Sequence, residues 1–388
     1  MVFRVNSIKT TLLVLCVIGI APYSVSGITY ECEIVERYDI QGQRFCVFRD
    51  VQYSSNTTDI AFKASDEKHR VVFENSQMQH LPKEFLQKFQ DLKILNVTGC
   101  NLTSVVITKS MEELIATDNY ISKIFVEQHP QNSTLKELHL QSNRISDISN
   151  VTSNCKQLRI LDLSRNQLLA DQSDLDFSKF NGLDQLEYLS LADVGALYLV
   201  YDKPVSLPSL TLLDLSLNSL LPVDLRVDYF KSFKRLQVLR LNSNGFSQLD
   251  YNYFTQMESL KEVYLEGNEF SCKYLKTMLD HLNNKGKKTP VARPATHCPA
   301  GYNIVEQMCC KSESLTNLVI GTRVRTSTTP SSSYVTEPQT LPSVSPAIVT
   351  DTTRKTVEMT GKGSAGFLSL NSGIALCGLL VSLSWAQI

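Results

Sequence analysis

The apolar residues of this chain follow an internal period that precedes any local helix or strand assignment. The template L-x-x-L-x-L-x-x-N-x-L reads LKILNVTGCNL from Leu92, MEELIATDNYI from Met111, LKELHLQSNRI from Leu135 and LRILDLSRNQL from Leu158. It continues as LEYLSLADVGA from Leu186, LTLLDLSLNSL from Leu210, LQVLRLNSNGF from Leu236 and LKEVYLEGNEF from Leu260. A worn first copy, VVFENSQM from Val71, brings the count to about nine. The starts step by 19, 24, 23, 28, 24, 26 and 24 residues. These steps suit a solenoid in which each coil supplies one short inner strand.

In each copy the strand points its leucines inward, and Asn119, Asn143, Asn166, Asn218, Asn244 and Asn268 stand where the chain leaves the strand. An amide there can satisfy backbone groups of adjoining coils that would otherwise be buried unpaired. Cys100 fills the same slot and reads as a buried thiol, while Val194 breaks the pattern and marks a local irregularity. Phe85 and Phe89, Phe177 and Phe180, Phe230 and Phe233, and Phe254 and Met257 fall in the outward steps, where they predict short helices or turns. Leu81 and Pro82 open one of them. The fold class is therefore α/β, a leucine-rich-repeat solenoid, or horseshoe.

End coils need covers. Cys32 and Cys46 lie just ahead of the first copy and read as a disulfide-bonded N-terminal cap. After the last copy Tyr274, Leu275, Met278 and Leu282 recur at helical spacing, and Cys272, Cys298, Cys309 and Cys310 flank them as a cysteine-stabilised C-terminal cap. Vicinal cysteines rarely bridge each other, so Cys309 and Cys310 need two partners. Cys272 and Cys298 serve locally; otherwise one of the vicinal pair reaches a second chain.

Composition places the chain in the secretory pathway. Arg4 and Lys9, an apolar run from Thr11 to Ala21, and then Ser24, Ser26 and Gly27 read as a signal peptide over residues 1–27. The caps and repeats then occupy 28–70, 71–271 and 272–320. A stalk over 321–362 follows; between Thr326 and Thr360 sixteen of thirty-five residues are Ser or Thr, too polar a run to form a core. Residues 363–388 read as a glycosylphosphatidylinositol signal attached through Gly363 or Ser364, with a single membrane span from Phe367 as the alternative. Asn56, Asn96, Asn101, Asn132 and Asn150 each open an N-glycosylation triplet. A net charge of -1 gives no basic excess, so nucleic acid is not an expected partner.

Between the inward leucines, Asn96, Ile115, His139, Asp162, Ser190, Asp214, Arg240 and Tyr264 should form one row on the concave face. His139, Asp162 and Ser190 would be neighbours there. Asp162 lies between the other two, no nucleophile elbow is visible, and nothing builds an oxyanion hole, so catalysis is not expected. A ligand-binding surface is the better reading, with Arg240, Asn242, Glu262, Tyr264 and Glu266 as its C-terminal part. A glycan on Asn96 would obstruct the N-terminal end of that face. No cofactor is implied, and no metal site either: His297 beside Cys298, Cys309 and Cys310 lacks zinc-ligand spacing.

The stretches NEFSCKYLKTMLDHL and HCPAGYNIVEQMCCKSES resemble the C-terminal cysteine signature of the leucine-rich-repeat immune proteins of mosquitoes. SNCKQLRILDLSRNQL, with Cys155 just ahead of a repeat, and FENSQMQHLP are also similar to theirs. The resemblance covers roughly Tyr30 to Leu315 and implies an innate-immune factor. Its ligand would be a protein, such as a complement-like thioester protein, or a microbial surface. It further implies that Cys309 or Cys310 serves an interchain disulfide in a homo- or heterodimer. Those proteins continue into a coiled coil, whereas the stalk here has no heptads, so the chain resembles a coil-less branch. An adhesive or matrix leucine-rich-repeat protein is the alternative.

Overall fold

The structure, a computed structural model, describes residues 27–312 except 38–41, 55–58, 128–132, 168, 171–172, 201–203, 222–229 and 231. The signal segment before Gly27, the stalk, the attachment residues Gly363 and Ser364, and the triplets at Asn56 and Asn132 lie outside the described residues.

The period produces an 11-stranded sheet. Eight strands come from the regular copies, beginning with Ile94–Asn96 and Glu113–Ile115 and ending with Val238–Arg240 and Glu262–Tyr264, each three residues long. All eight run parallel in strict register, so residues at one template position stack side by side. The central residue of each strand points inward: Leu95, Leu114, Leu138, Leu161, Leu189, Leu213, Leu239 and Val263 are fully buried. Truncating one of these leucines to alanine costs about 2–5 kcal/mol where the site cannot collapse.

The chain leaves each strand through one left-handed residue placed just before the Asn slot. Gly99, Asp118, Ser142, Arg165, Asp193, Leu217, Ser243 and Gly267 all have φ between 54° and 72°. At Gly267, φ 72°, a Cβ would also crowd the neighbouring coil, 2.8 Å from the rotatable Ser243 Oγ and 3.3 Å from Ser243 Cα.

The slot residue then ties neighbouring coils together. Asn143 Nδ2 donates to Leu140 O (3.0 Å) in its own coil and Ala116 O (2.9 Å) in the previous one, while Oδ1 accepts from Ile121 N (2.9 Å). Asn119, Asn166, Asn218, Asn244 and Asn268 repeat the pattern. Cys100 fills its slot as a buried free thiol, and Val194 breaks the ladder without leaving the core, its side chain fully buried. Ser76 fills the slot of the worn first copy, where its Oγ accepts from Val51 N at 3.1 Å.

On the outer side the aromatic marks form α1 (Lys83–Lys88), a 3-10 turn at Phe177–Phe180 and, near the C-terminal end, a short helix at Asn252–Gln256. Pro82 is the N-cap of α1. Outer strands occur as well, including Asp174–Asp176 in the same coil as the Phe177–Phe180 turn. Ser104–Ile107 pairs with Lys123–Val126, and Asp174–Asp176 with Tyr198–Val200, as outer two-stranded ladders. The reason is local: the sequences SVVI and KIFV bury alternate side chains, the period of a strand and not of a helix.

Both ends are closed. At the N-terminus Glu33–Arg37 and Gln43–Arg49 form an antiparallel hairpin bridged by Cys32–Cys46, and Gln43–Arg49 joins the parallel sheet beside Arg70–Glu74. At the C-terminus the amphipathic helix α2 (Cys272–Asn284) begins with Ser271 Oγ accepting from Tyr274 N. It lays Leu275, Met278, Leu279 and Leu282 over the last coil. Lys288 then pairs with the exposed edge of Glu262–Tyr264. Lys287, 8% exposed, donates from Nζ to Met257 O and Leu260 O, covering carbonyls that no further repeat satisfies. Cys272 bonds Cys310 and Cys298 bonds Cys309, so the vicinal pair is bridged locally within the chain. Cys100 and Cys155 remain free and buried. Among the described residues no helix is long and apolar enough to cross a membrane.

Candidate functional site

The register places Ile115, His139, Asp162, Ser190, Asp214, Arg240 and Tyr264 in one continuous row, with Asn96 beside Ile115. Neighbouring members stand one strand apart, about 4.8 Å. The row is not uniformly displayed: Ser190 and Asp214 are buried at 3% and 6% exposure, and Glu266, also expected on the surface, is 8% exposed.

His139, Asp162 and Ser190 adjoin, yet form no relay. Asp162 Oδ2 accepts from Gln141 Nε2 (2.8 Å) and Oδ1 from Ser164 N (3.0 Å), while His139 Nε2 lies 3.6 Å from Glu137 Oε2. Both carboxylate oxygens that could orient the imidazole are therefore engaged elsewhere.

The C-terminal part of the row is more organised. Arg240 Nη1 donates to Asp214 Oδ2 at 3.1 Å, and its guanidinium lies 5.4 Å from the centre of the Tyr264 ring. Asp214 is itself held by Ser216 N and Oγ at 2.9 and 2.6 Å. Burial works against the Arg240 charge, but the Asp214 hydrogen bond and charge outweigh it and its pKa is raised. Burial and then the charge of Glu262 push the Tyr264 phenol up, and Tyr264 Oη donates to Glu262 Oε2. This stack borders a recess of about 420 Å³ where Arg293, Ala295 and Met308 of the C-terminal cap fold back over the strand ends.

Two features of the recess went unread in the sequence. Leu217 lines it at 54% exposure with φ 58°, an apolar side chain held out to solvent in a conformation that usually selects glycine or asparagine. Glu266 Oε1 accepts from Ala292 N at 3.1 Å and so pins the cap, while its buried Oε2 has no hydrogen-bond partner among the described residues. Leu217 could have been found by aligning the copies, since it alone places a large aliphatic residue before the Asn slot.

At the other end of the face Asn96 Oδ1 accepts from Thr98 N and Oγ1, holding the triplet's own side chains together. One strand further on, ligand atoms of Glu113, Glu137 and His139 lie within 4.8 Å of one another, a group that could hold a metal ion. The sequence reading, which expected no metal site, passed over it. Glu113 and Glu137 occupy the same template position in consecutive copies, which is the signal that would have revealed it.

Comparison with known proteins agrees with this architecture. The family model for leucine-rich repeats in two copies matches residues 133–179, and a second leucine-rich-repeat model matches 208–270. Human lumican is 30% identical over 241 residues, covering 61% of this chain and 58% of lumican, so the chain spans little more than half of that relative. Rabbit lumican is 31% identical over 175 residues, covering 38% of this chain and 86% of the relative. Among solved structures, the LRIM1/APL1C complex is similar at 19% identity and TM-score 0.41, covering 76% of this chain and 73% of the other. With its register, Asn ladder and capped ends, the chain belongs to the leucine-rich-repeat family.

Proposed function

We propose that this chain is a non-enzymatic extracellular binding protein that takes a protein or microbial-surface ligand on the C-terminal half of its concave face. The observation carrying the proposal is the Arg240 junction: a fixed guanidinium between Asp214 and Tyr264, beside a recess and the outward-held Leu217. Tyrosine and arginine side chains beside a recess are the residue types enriched in binding hot spots. An innate-immune role, with a complement-like thioester protein as one candidate ligand, draws support from the cysteine signature. Because Cys309 and Cys310 are both bridged within the chain, covalent pairing of two chains would require one of these bonds to exchange. Lipid attachment at Gly363 or Ser364 belongs to the same proposal, and release of the chain from cells by phosphatidylinositol-specific phospholipase tests it. Sequence likeness to lumican and decorin, which are matrix leucine-rich-repeat proteins, favours a second reading, binding within extracellular matrix.

A glycan wedge separates these readings. Arg240→Asn with Asn242→Thr creates an N-glycosylation triplet in the concave mouth, and Lys123→Asn with Phe125→Thr creates one on the outer ladder. Binding of each secreted protein to live bacteria and to matrix laid down by cultured cells is measured side by side. The proposal expects bacterial binding that the concave glycan abolishes and the outer glycan spares. Equal binding by both variants refutes the concave site, and binding to matrix alone selects the second reading.

A further inference from the structure

Glu113 and Glu137 face each other directly across adjacent parallel strands, and His139 follows Glu137 on the same face two residues later. Like charges in directly opposed positions destabilise a sheet. Here the opposition is flanked by apolar neighbours, because Ile94 and Ile160 hold the same register position on either side of the half-exposed pair. Burial, and then the charge of Glu137, raise the pKa of Glu113. Among the described residues the Glu113 carboxylate has no hydrogen bond and no lysine or arginine partner, its backbone N–H being engaged with Lys93 O at 3.0 Å. The adjacent Glu112 has two, Lys93 at 2.9 Å and Lys136 at 2.7 Å. On the other flank Arg159 is committed to Glu187 at 2.9 Å and feels Glu137 only through its charge, without a hydrogen bond to it. A paired and an unpaired acid thus stand side by side in one strand end, and the unpaired one faces a second carboxylate and an imidazole.

We propose that Glu113, Glu137 and His139 form a binding site for a divalent zinc ion, with water in the remaining coordination position. The three ligand atoms lie within 4.8 Å of one another, and the His139–Glu137 edge is already 3.6 Å. A tetrahedral zinc with ligands at about 2.1 Å needs edges of about 3.4 Å, so the half-exposed glutamates close the remainder by side-chain rotation. One imidazole with two carboxylates suits zinc, whereas calcium seeks six to eight oxygens. The two strands also belong to successive coils, so the ion would clamp one repeat to the next.

The test is titration calorimetry on the untagged full-length chain, stripped with chelator and titrated with zinc chloride, with calcium chloride in parallel. His139→Ala and the double variant Glu113→Gln/Glu137→Gln are measured beside it, and all three proteins are melted in chelator to establish folding. The expected result is one zinc equivalent in the parent protein, weak or no calcium uptake, and affinity roughly tenfold or more lower in each variant. In chelator the double variant should melt at or above the parent, because it removes the carboxylate repulsion, while zinc should raise the melting point of the parent alone. Absence of zinc uptake by the parent overturns the proposal. So does parent-like uptake by both variants, which would place the ion elsewhere.

Discussion

Asn166→Ala should be more damaging than the same substitution one coil earlier, for a reason traceable to single atoms. Asn166 is fully buried, and its Nδ2 donates to Leu140 O and Leu163 O at 2.9 Å each while its Oδ1 accepts from Ile145 N at 3.0 Å. Leu140 O keeps a second donor in Asn143 Nδ2. Leu163 O does not, because the next slot holds Val194, which has no side-chain donor. The alanine therefore orphans two buried backbone groups, Ile145 N–H and Leu163 C=O. Asn143→Ala orphans one, Ile121 N–H, since Leu140 O and Ala116 O retain Asn166 and Asn119. At about 1–3 kcal/mol per orphaned group, the expected losses are about 4 kcal/mol for Asn166→Ala and about 2 kcal/mol for Asn143→Ala. Urea unfolding followed by circular dichroism, with disulfides intact, measures both. Val194→Asn supplies the missing donor to Leu163 O, so Asn166→Ala should cost less in that background. Equal losses for the two alanines, or no rescue by Val194→Asn, would refute the atom-by-atom account.

Three further outcomes follow from the same geometry. Burial pushes the Cys100 and Cys155 thiols up to about 12 and about 11, so neither should react with iodoacetamide in the native chain at neutral pH, and both should be alkylated in denaturant without reductant; native labelling read by mass spectrometry decides it. Leu217→Gly should stabilise the fold by about 1 kcal/mol by relieving left-handed strain while weakening ligand binding, and a thermal melt that falls instead would contradict the strain reading. The hydrogen bonds from Lys311 and Tyr302 hold Glu269 below its ordinary pKa of 4.5, so its contribution is present above that value and lost as pH falls through the lowered one. Glu269→Gln should therefore melt below the parent at neutral pH, with the gap closing on acidification; a gap independent of pH would show that the charge is not what pins the cap.

Much of the fold was legible because the solenoid is written one coil at a time. The leucine positions, the Asn slots and the concave row all follow from local spacing, and strict parallel register turns equal template positions into spatial neighbours. What escaped the reading was what depends on differences between copies. Ser76 stands in a slot expected to hold asparagine, SVVI and KIFV form outer strands where aromatic marks elsewhere form helical turns, and Lys287 substitutes for a repeat that is not there. The opposed Glu113 and Glu137 were invisible for the same reason, since each looks like an ordinary solvated residue within its own copy. Cysteine connectivity was open because composition allows Cys309 and Cys310 more than one set of partners, and only the return of Met308–Lys311 toward α2 selects between them.

The three capping disulfides also set where the molecule gives way. A stack of repeats ordinarily frays from its ends, because a terminal coil has a neighbour on one side only. Here the outermost coils are closed covalently by Cys32–Cys46 and Cys272–Cys310, which hold the flanking chain in place even when local packing is lost. Opening should accordingly begin inside the stack, at the seam beside Val194, and spread outward toward ends that behave as the most persistent parts of the structure. Amide exchange would then run in the reverse of the usual order, fastest at the middle coils and slowest at the caps. Reducing the bridges should invert that order without changing the sequence at all.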